Sequence, residues 1–159
     1  MLRILALFAT VARADILSDY IAAPDENYGW FEHKNLTFKT LWGNTAHVLN
    51  VTSQKWMDES RASAPGGAIW SHEVVVIIPK NLLHKEIATV YLTGDCNDKP
   101  EGTPISKKDL DVIVVDEMAK NSQAITVAVK QVPNCPIVYP SDPEQISRVE
   151  DGLLAWAWR

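Results

Sequence analysis

The chain is short of most features that announce a chemistry. Its 159 residues include two cysteines and seven glycines. The four histidines, His33, His47, His72 and His84, stand apart and form no H-E-x-x-H or Cys/His ligand spacing, so no metal site is expected. G-x-S-x-G, the Walker loop and G-x-G-x-x-G are all missing. That removes the elbow of a serine hydrolase and the usual nucleotide signatures, and no cofactor is expected. No apolar run approaches the roughly 20 residues that span a bilayer, so no transmembrane segment is expected. Basic residues are outnumbered 15 to 20 and nowhere cluster. Phosphate neutralisation needs clustered Lys and Arg, so nucleic acid is excluded as a partner.

What is present describes a folded domain. The composition, 47% apolar and 22% charged, is that of an ordinary globular protein, and the length suits one domain. The first 14 residues read as a secretory signal: Arg3, an apolar stretch from Ile4 to Val11, and Ala12-Arg13-Ala14 before Asp15. The rival is a buried N-terminal helix or strand. Cleavage would remove two basic residues and no acid, taking the formal charge from −5 to −7. Asn35-Leu36-Thr37 and Asn50-Val51-Thr52 are then glycosylation sequons, and the expected destination is extracellular.

Period-2 patterning from Leu36 to Val51 around Trp42-Gly43-Asn44 predicts an antiparallel hairpin, continuing through Ser53 towards Met57. Ile69 to Ile78 predicts a strand covered on both faces, ended by Pro79. The centre is a predicted βαβ unit: a strand from Ile87 to Thr93, a helix from Lys107 to Lys120 and a strand from Ala124 to Val129. Ser106 with Asp109 suggests the helix cap, Leu110, Ile113, Val114 and Met118 its buried face, and Asn121 its stop. A last helix is predicted from Asp142-Pro143, with Ile146, Val149, Leu153 and Trp156 inward.

Ligands of open α/β sheets gather outside the carboxyl ends of the strands, where both cysteines fall. Cys96 and Cys135 read as a disulfide in a secreted chain; the alternative is Cys96 as a histidine-activated nucleophile. Gly94 and Asp95 are a candidate oxyanion loop, against the plainer reading of a turn. His72, beside Trp70, is expected to be a packed, hydrogen-bonded histidine. The six tryptophans are expected to serve packing before sugar binding.

Several strings resemble the PhoPQ-activated pathogenicity-related protein family, which includes secreted autocrine proliferation repressor-like proteins. They are Ala23-Pro24-Asp25 with Tyr28 and Trp30, the run Val48 to Trp56 containing Thr52-Ser53-Gln54-Lys55-Trp56, Trp70-Ser71-His72, Gln131 to Pro136, and Glu150 to Trp156. The resemblance implies that residues 15–159 are an incomplete α/β-hydrolase-like domain: a hairpin leading into a parallel sheet with flanking helices. The nucleophile-bearing half would follow in a longer protein, so no catalytic residue is assigned here. The implied partners are a small ester or peptide substrate or, for a non-enzymatic growth-regulating factor, a cell-surface receptor.

Overall fold

A computed structural model describes residues 16–64, 67–100 and 103–157. The expected signal, residues 1–14, lies outside the described residues. Six strands form one sheet: β1 (Gly29–Glu32), β2 (Phe38–Lys39), β3 (Thr45–Lys55), β4 (Ile69–Ile78), β5 (His84–Leu92) and β6 (Ala124–Val129). Their order is β1-β3-β4-β6-β5, with β2 also on β3. Helices are α1 (Ile16–Ala22), α2 (Leu110–Ser122) and α3 (Glu150–Ala157). The architecture is mixed α/β, but the sheet is mostly antiparallel rather than parallel. Among the described residues only β5 and β6 pair in parallel, joined through α2 as the βαβ pattern predicts.

The strands form where β-branched residues concentrate. Val75, Ile77, Ala46 and Ala128 project from one face of the sheet onto Val112, Val115 and Ala119 of α2, all fully buried. Each such valine or isoleucine contributes about 1.5–3 kcal/mol of hydrophobic stabilisation relative to exposure. On the opposite face Val76, Val127 and Val129 are half-buried, so β4 is not covered equally on both sides as its sequence suggests. A second cluster, Ala62, Cys135, Ile137, Tyr139 and Leu153 with Trp56, Trp70 and Trp156, packs the segment after β6 against the rest. Trp56, Trp70 and Trp156 serve packing, as expected, whereas Trp30 and Trp42 are exposed and Trp158 lies outside the described residues.

Both helix predictions need correcting. α2 starts later than Lys107, because Asp109 is the cap: its side chain accepts from the amides of Asp111 and Val112. Ser106 serves only a local turn, accepting from the Lys108 amide. The buried stripe is Val112, Val115, Asp116 and Ala119, while Leu110 is 73% exposed. The helix passes Asn121 and stops at Gln123, which takes the left-handed conformation. Asp142 does not open the last helix. Its buried carboxylate accepts from the Glu144 amide and from Arg148 Nη2 at 2.6 Å, closing a turn. The helix begins only at Glu150, and Ile146 and Val149 stay exposed.

Asp116 explains why the stripe was hard to see. It is 1% exposed. Oδ1 accepts from Thr40 Oγ1 and Asn44 Nδ2, each at 2.7 Å, and Oδ2 accepts from the Trp42 amide at 3.2 Å. One carboxylate thus fastens the hairpin turn to α2, and Lys120 closes over the Trp42 ring 3.7 Å from its centroid. Charge-assisted bonds of this kind are the strong ones, and losing the acceptor strands buried donors. Asp116→Ala is expected to lower unfolding free energy by about 3 kcal/mol. By contrast, the Tyr139 hydroxyl is buried without a hydrogen-bond partner among the described residues. Tyr139→Phe should leave stability unchanged or raise it by up to about 1 kcal/mol. Urea unfolding of the two variants checks both.

Candidate functional site

The two loops that leave the parallel strands, with the first half of β4, enclose a cleft of about 470 Å³. His33, Asn50, Glu73, Asp109, Lys130 and Asn134 are among its walls. It lies at the carboxyl ends of β5 and β6, as the α/β rule anticipates.

The wall is tied by side-chain amides and one covalent bond. Cys96 and Cys135 form a disulfide, with Cα atoms 4.6 Å apart. The nucleophile alternative for Cys96 is therefore set aside, because its sulfur carries no free thiol. Asn97 donates to the Ser71 carbonyl at 2.9 Å and its Oδ1 accepts from the Cys135 amide at 3.2 Å. Asn134 Oδ1 accepts from the Ser71 amide at 2.9 Å, while its Nδ2 donates to the carbonyls of Ser71 and Gln131. Gln131 Oε1 accepts from the Glu73 amide at 2.6 Å. The edge-like polar groups of β4 are thus satisfied by side chains where strand pairing has ended.

Lys130 is the centre of the charge distribution. It directly follows β6, and its side chain is 5% exposed. Its ammonium lies 3.2 Å from Asp109, 3.5 Å from Asp111, 3.7 Å from Asp95 and 3.9 Å from Glu73. Burial works against the charged amine, but Asp109, Glu73 and Asp111 outweigh it, and the lysine is held above its ordinary range. Burial raises Glu73, partly offset by Lys130. Asp95 experiences the same penalty but ends below the usual carboxylate range, through its bonds to Lys99 and the Cys96 amide.

Sequence reasoning anticipated the Cys96–Cys135 disulfide, and Asp95 of the Gly94-Asp95 turn reaches towards Lys130. The groups it missed are Lys130, Asp109 and Asp111, although a lone lysine at the end of an apolar strand was visible. Asp95 sits at φ +78°. Its Oδ1 accepts from the Cys96 amide at 2.9 Å, and Gly94 O accepts from Gln131 N at 2.7 Å. The Cys96 amide is therefore occupied, and a carboxylate stands beside it. The two sequons differ in setting. Asn35 is exposed on a short 3-10 turn, Lys34–Leu36, whereas Asn50 is half-buried inside β3, opposite Phe31 and Glu73. Among the described residues no helix is long and apolar enough to cross a membrane.

The model of the PhoPQ-activated pathogenicity-related protein family matches residues 17–159. The chain belongs to this family. Autocrine proliferation repressor protein A of Dictyostelium discoideum is a relative, 30% identical over 159 residues, which is 100% of this chain and 29% of that protein. No solved structure matches the chain. In this PhoPQ-activated pathogenicity-related chain, the strings Trp70-Ser71-His72 and Gln131 to Pro136 meet across one wall of the cleft, through Asn134 and Ser71.

Two outcomes are expected. Replacing both cysteines by serine should lower stability by about 4 kcal/mol, the chain-entropy value for a separation of 39 residues. Lys130→Ala should cost about 3 kcal/mol at neutral pH, since it leaves four carboxylates facing one another with Lys99, bonded to Asp95, as the remaining lysine beside them. The cost should shrink as pH falls and those carboxyls take up protons, beginning with Glu73, whose affinity for a proton is raised. Denaturant midpoints of wild type and variant between pH 4 and 8 test this.

Proposed function

We propose that this chain is the sheet-building part of a secreted α/β-hydrolase-like protein of the PhoPQ-activated pathogenicity-related type. The observation that carries the reading is the β5–α2–β6 unit, with a polar cleft at its carboxyl ends and an open flank. β5 has β6 on one side, and Ile87, Val90 and Leu92 are each more than half exposed. A further strand laid against β5 would bury them and extend the parallel part of the sheet. In a longer protein that is where a strand–turn–helix bearing a serine nucleophile would join, its ligand being a small ester or peptide at the cleft. The matched relative is long enough to hold such a part, since this chain spans 29% of it.

A second reading has its own support. The Dictyostelium relative is named as an autocrine proliferation repressor. An oxyanion needs amide donors, yet Asp95 brings a carboxylate to the loop where Gly94 and Asp95 would serve. A secreted, non-enzymatic growth regulator using the same scaffold to bind a cell-surface receptor fits both points.

Intact mass of the native secreted protein after glycan removal, followed by fluorophosphonate labelling, separates the readings. A mass well above that of residues 15–159, with label on a serine beyond residue 159, is the result expected for the hydrolase. No labelled serine beyond that point, with saturable binding to cells, would replace it by the binding factor. Secretion also predicts unequal glycan occupancy. Peptide mapping should find Asn35 modified and Asn50 largely bare, because a glycan on Asn50 would have to leave a strand flanked on both sides.

A further inference from the structure

Ser53 sits at an irregular step of β3. Thr52 pairs with Ser71 and Gln54 with Trp70, leaving Ser53 as the extra residue of a bulge. Bulges re-aim side chains, and here the hydroxyl is turned to His72, with Oγ 2.9 Å from Nε2. The other ring nitrogen, Nδ1, lies 2.9 Å from the Lys130 carbonyl oxygen. A carbonyl can only accept, so Nδ1 carries the proton and donates it. Nε2 therefore presents its lone pair to Ser53, whose hydroxyl donates. The Trp70 carbonyl competes for that proton, but at 3.4 Å it is the weaker acceptor.

His72 is 7% exposed, and burial holds its pKa below the ordinary histidine range. At physiological pH it is a neutral base, already oriented. Nucleophile, base and a group that fixes the base's tautomer stand in the order that activates serine. Ser53 also opens onto a groove of about 610 Å³ lined by Tyr20, Asp25, Tyr28, Gln54 and Lys55. The groove's walls are held by the Tyr20 hydroxyl donating to Gln54 Oε1 and the Lys55 amide donating to Asp25 Oδ2. It offers aromatic surface beside polar groups, a lining suited to a small ester with an aryl portion.

We propose that Ser53 is a nucleophile primed by His72, taking the acyl group of a small aryl ester that enters this groove. Ser53 Oγ bonds to the ester carbonyl carbon while its proton passes to His72 Nε2. The carbon–oxygen bond to the leaving group breaks, and that oxygen takes the proton from His72. The products are acyl-Ser53 and the free alcohol, with His72 neutral again. This does not rest on the hydrolase reading, whose serine lies elsewhere.

The test uses the protein as secreted, with p-nitrophenyl acetate and a fluorophosphonate as probes and peptide mapping to locate the adduct. Label on Ser53 is expected, absent in Ser53→Ala. Its rate should rise with pH through a midpoint below about 6.5, the ordinary histidine value. His72→Gln should slow labelling at least about 100-fold, the lower end for loss of a general base. Because His72 is itself part of β4, the wild-type pH profile, which needs no substitution, stands as a second readout. An unlabelled Ser53, or labelling whose rate ignores both pH and His72, would overturn the proposal and leave the pair as a strand-fastening hydrogen bond. Label confined to a serine beyond residue 159 would also overturn it while supporting the hydrolase.

Discussion

A single buried ammonium holds the business end of this sheet together. Lys130 reaches four carboxylates drawn from three places: Glu73 on β4, Asp95 after β5, and Asp109 and Asp111 at the start of α2. Asp109 has two tasks. One oxygen caps α2 and the other meets Lys130, at 3.2 Å. The helix origin is thereby tied to the end of β6, which lies under it. Without the lysine, like charges would drive the helix start, the loop after β5 and the β4 strand apart. The disulfide and the asparagine pair Asn97 and Asn134 close the same region from the other side.

This arrangement makes the cleft more a recognition surface than an electrophile trap. Its four carboxylates outnumber its two lysines, Lys130 fully engaged and Lys99 paired with Asp95 at 2.8 Å, so the formal charge of the cluster is negative. Such a surface favours neutral or cationic polar ligands over anions. The pair Ser53 and His72 has a different character: His72 is buried at the wall of this cleft, and Ser53, half-buried, lines the other groove. Two chemically unlike places thus share strands β3 and β4.

Much of the sheet was legible because its strands are written in β-branched runs. Val74 to Ile78 and Ala124 to Val129 admit little else, and the Trp42-Gly43-Asn44 turn marked the hairpin. β5 begins at His84 rather than Ile87, since the polar residues His84, Lys85 and Glu86 gave no apolar signal. The helices were less legible for physical reasons. Nearly every residue from Leu110 to Val115 is apolar, so two overlapping stripes fit the spacing, and the correct one contains a charged residue. Asp116 could not be read as buried without knowing that Thr40, Trp42 and Asn44 come to meet it from more than 70 positions away. Asp142 misled in the same way, because Arg148 claims it for a turn. The Lys130 cluster escaped because its four acids are scattered in sequence and converge only through the crossover.

The strand order has a consequence for how the chain is made. β6 lies between β4 and β5, although β5 is synthesised first. As the polypeptide emerges, β5 has no neighbour to join until α2 and β6 have followed it. For that interval a stretch containing Ile87, Val90, Tyr91 and Leu92 must wait unpaired, when it is most open to capture by another nascent chain. His84-Lys85-Glu86 stands directly ahead of it, polar and exposed, in the position of a gatekeeper. The three residues that made the strand's beginning hard to recognise are the ones that keep it out of trouble while it waits.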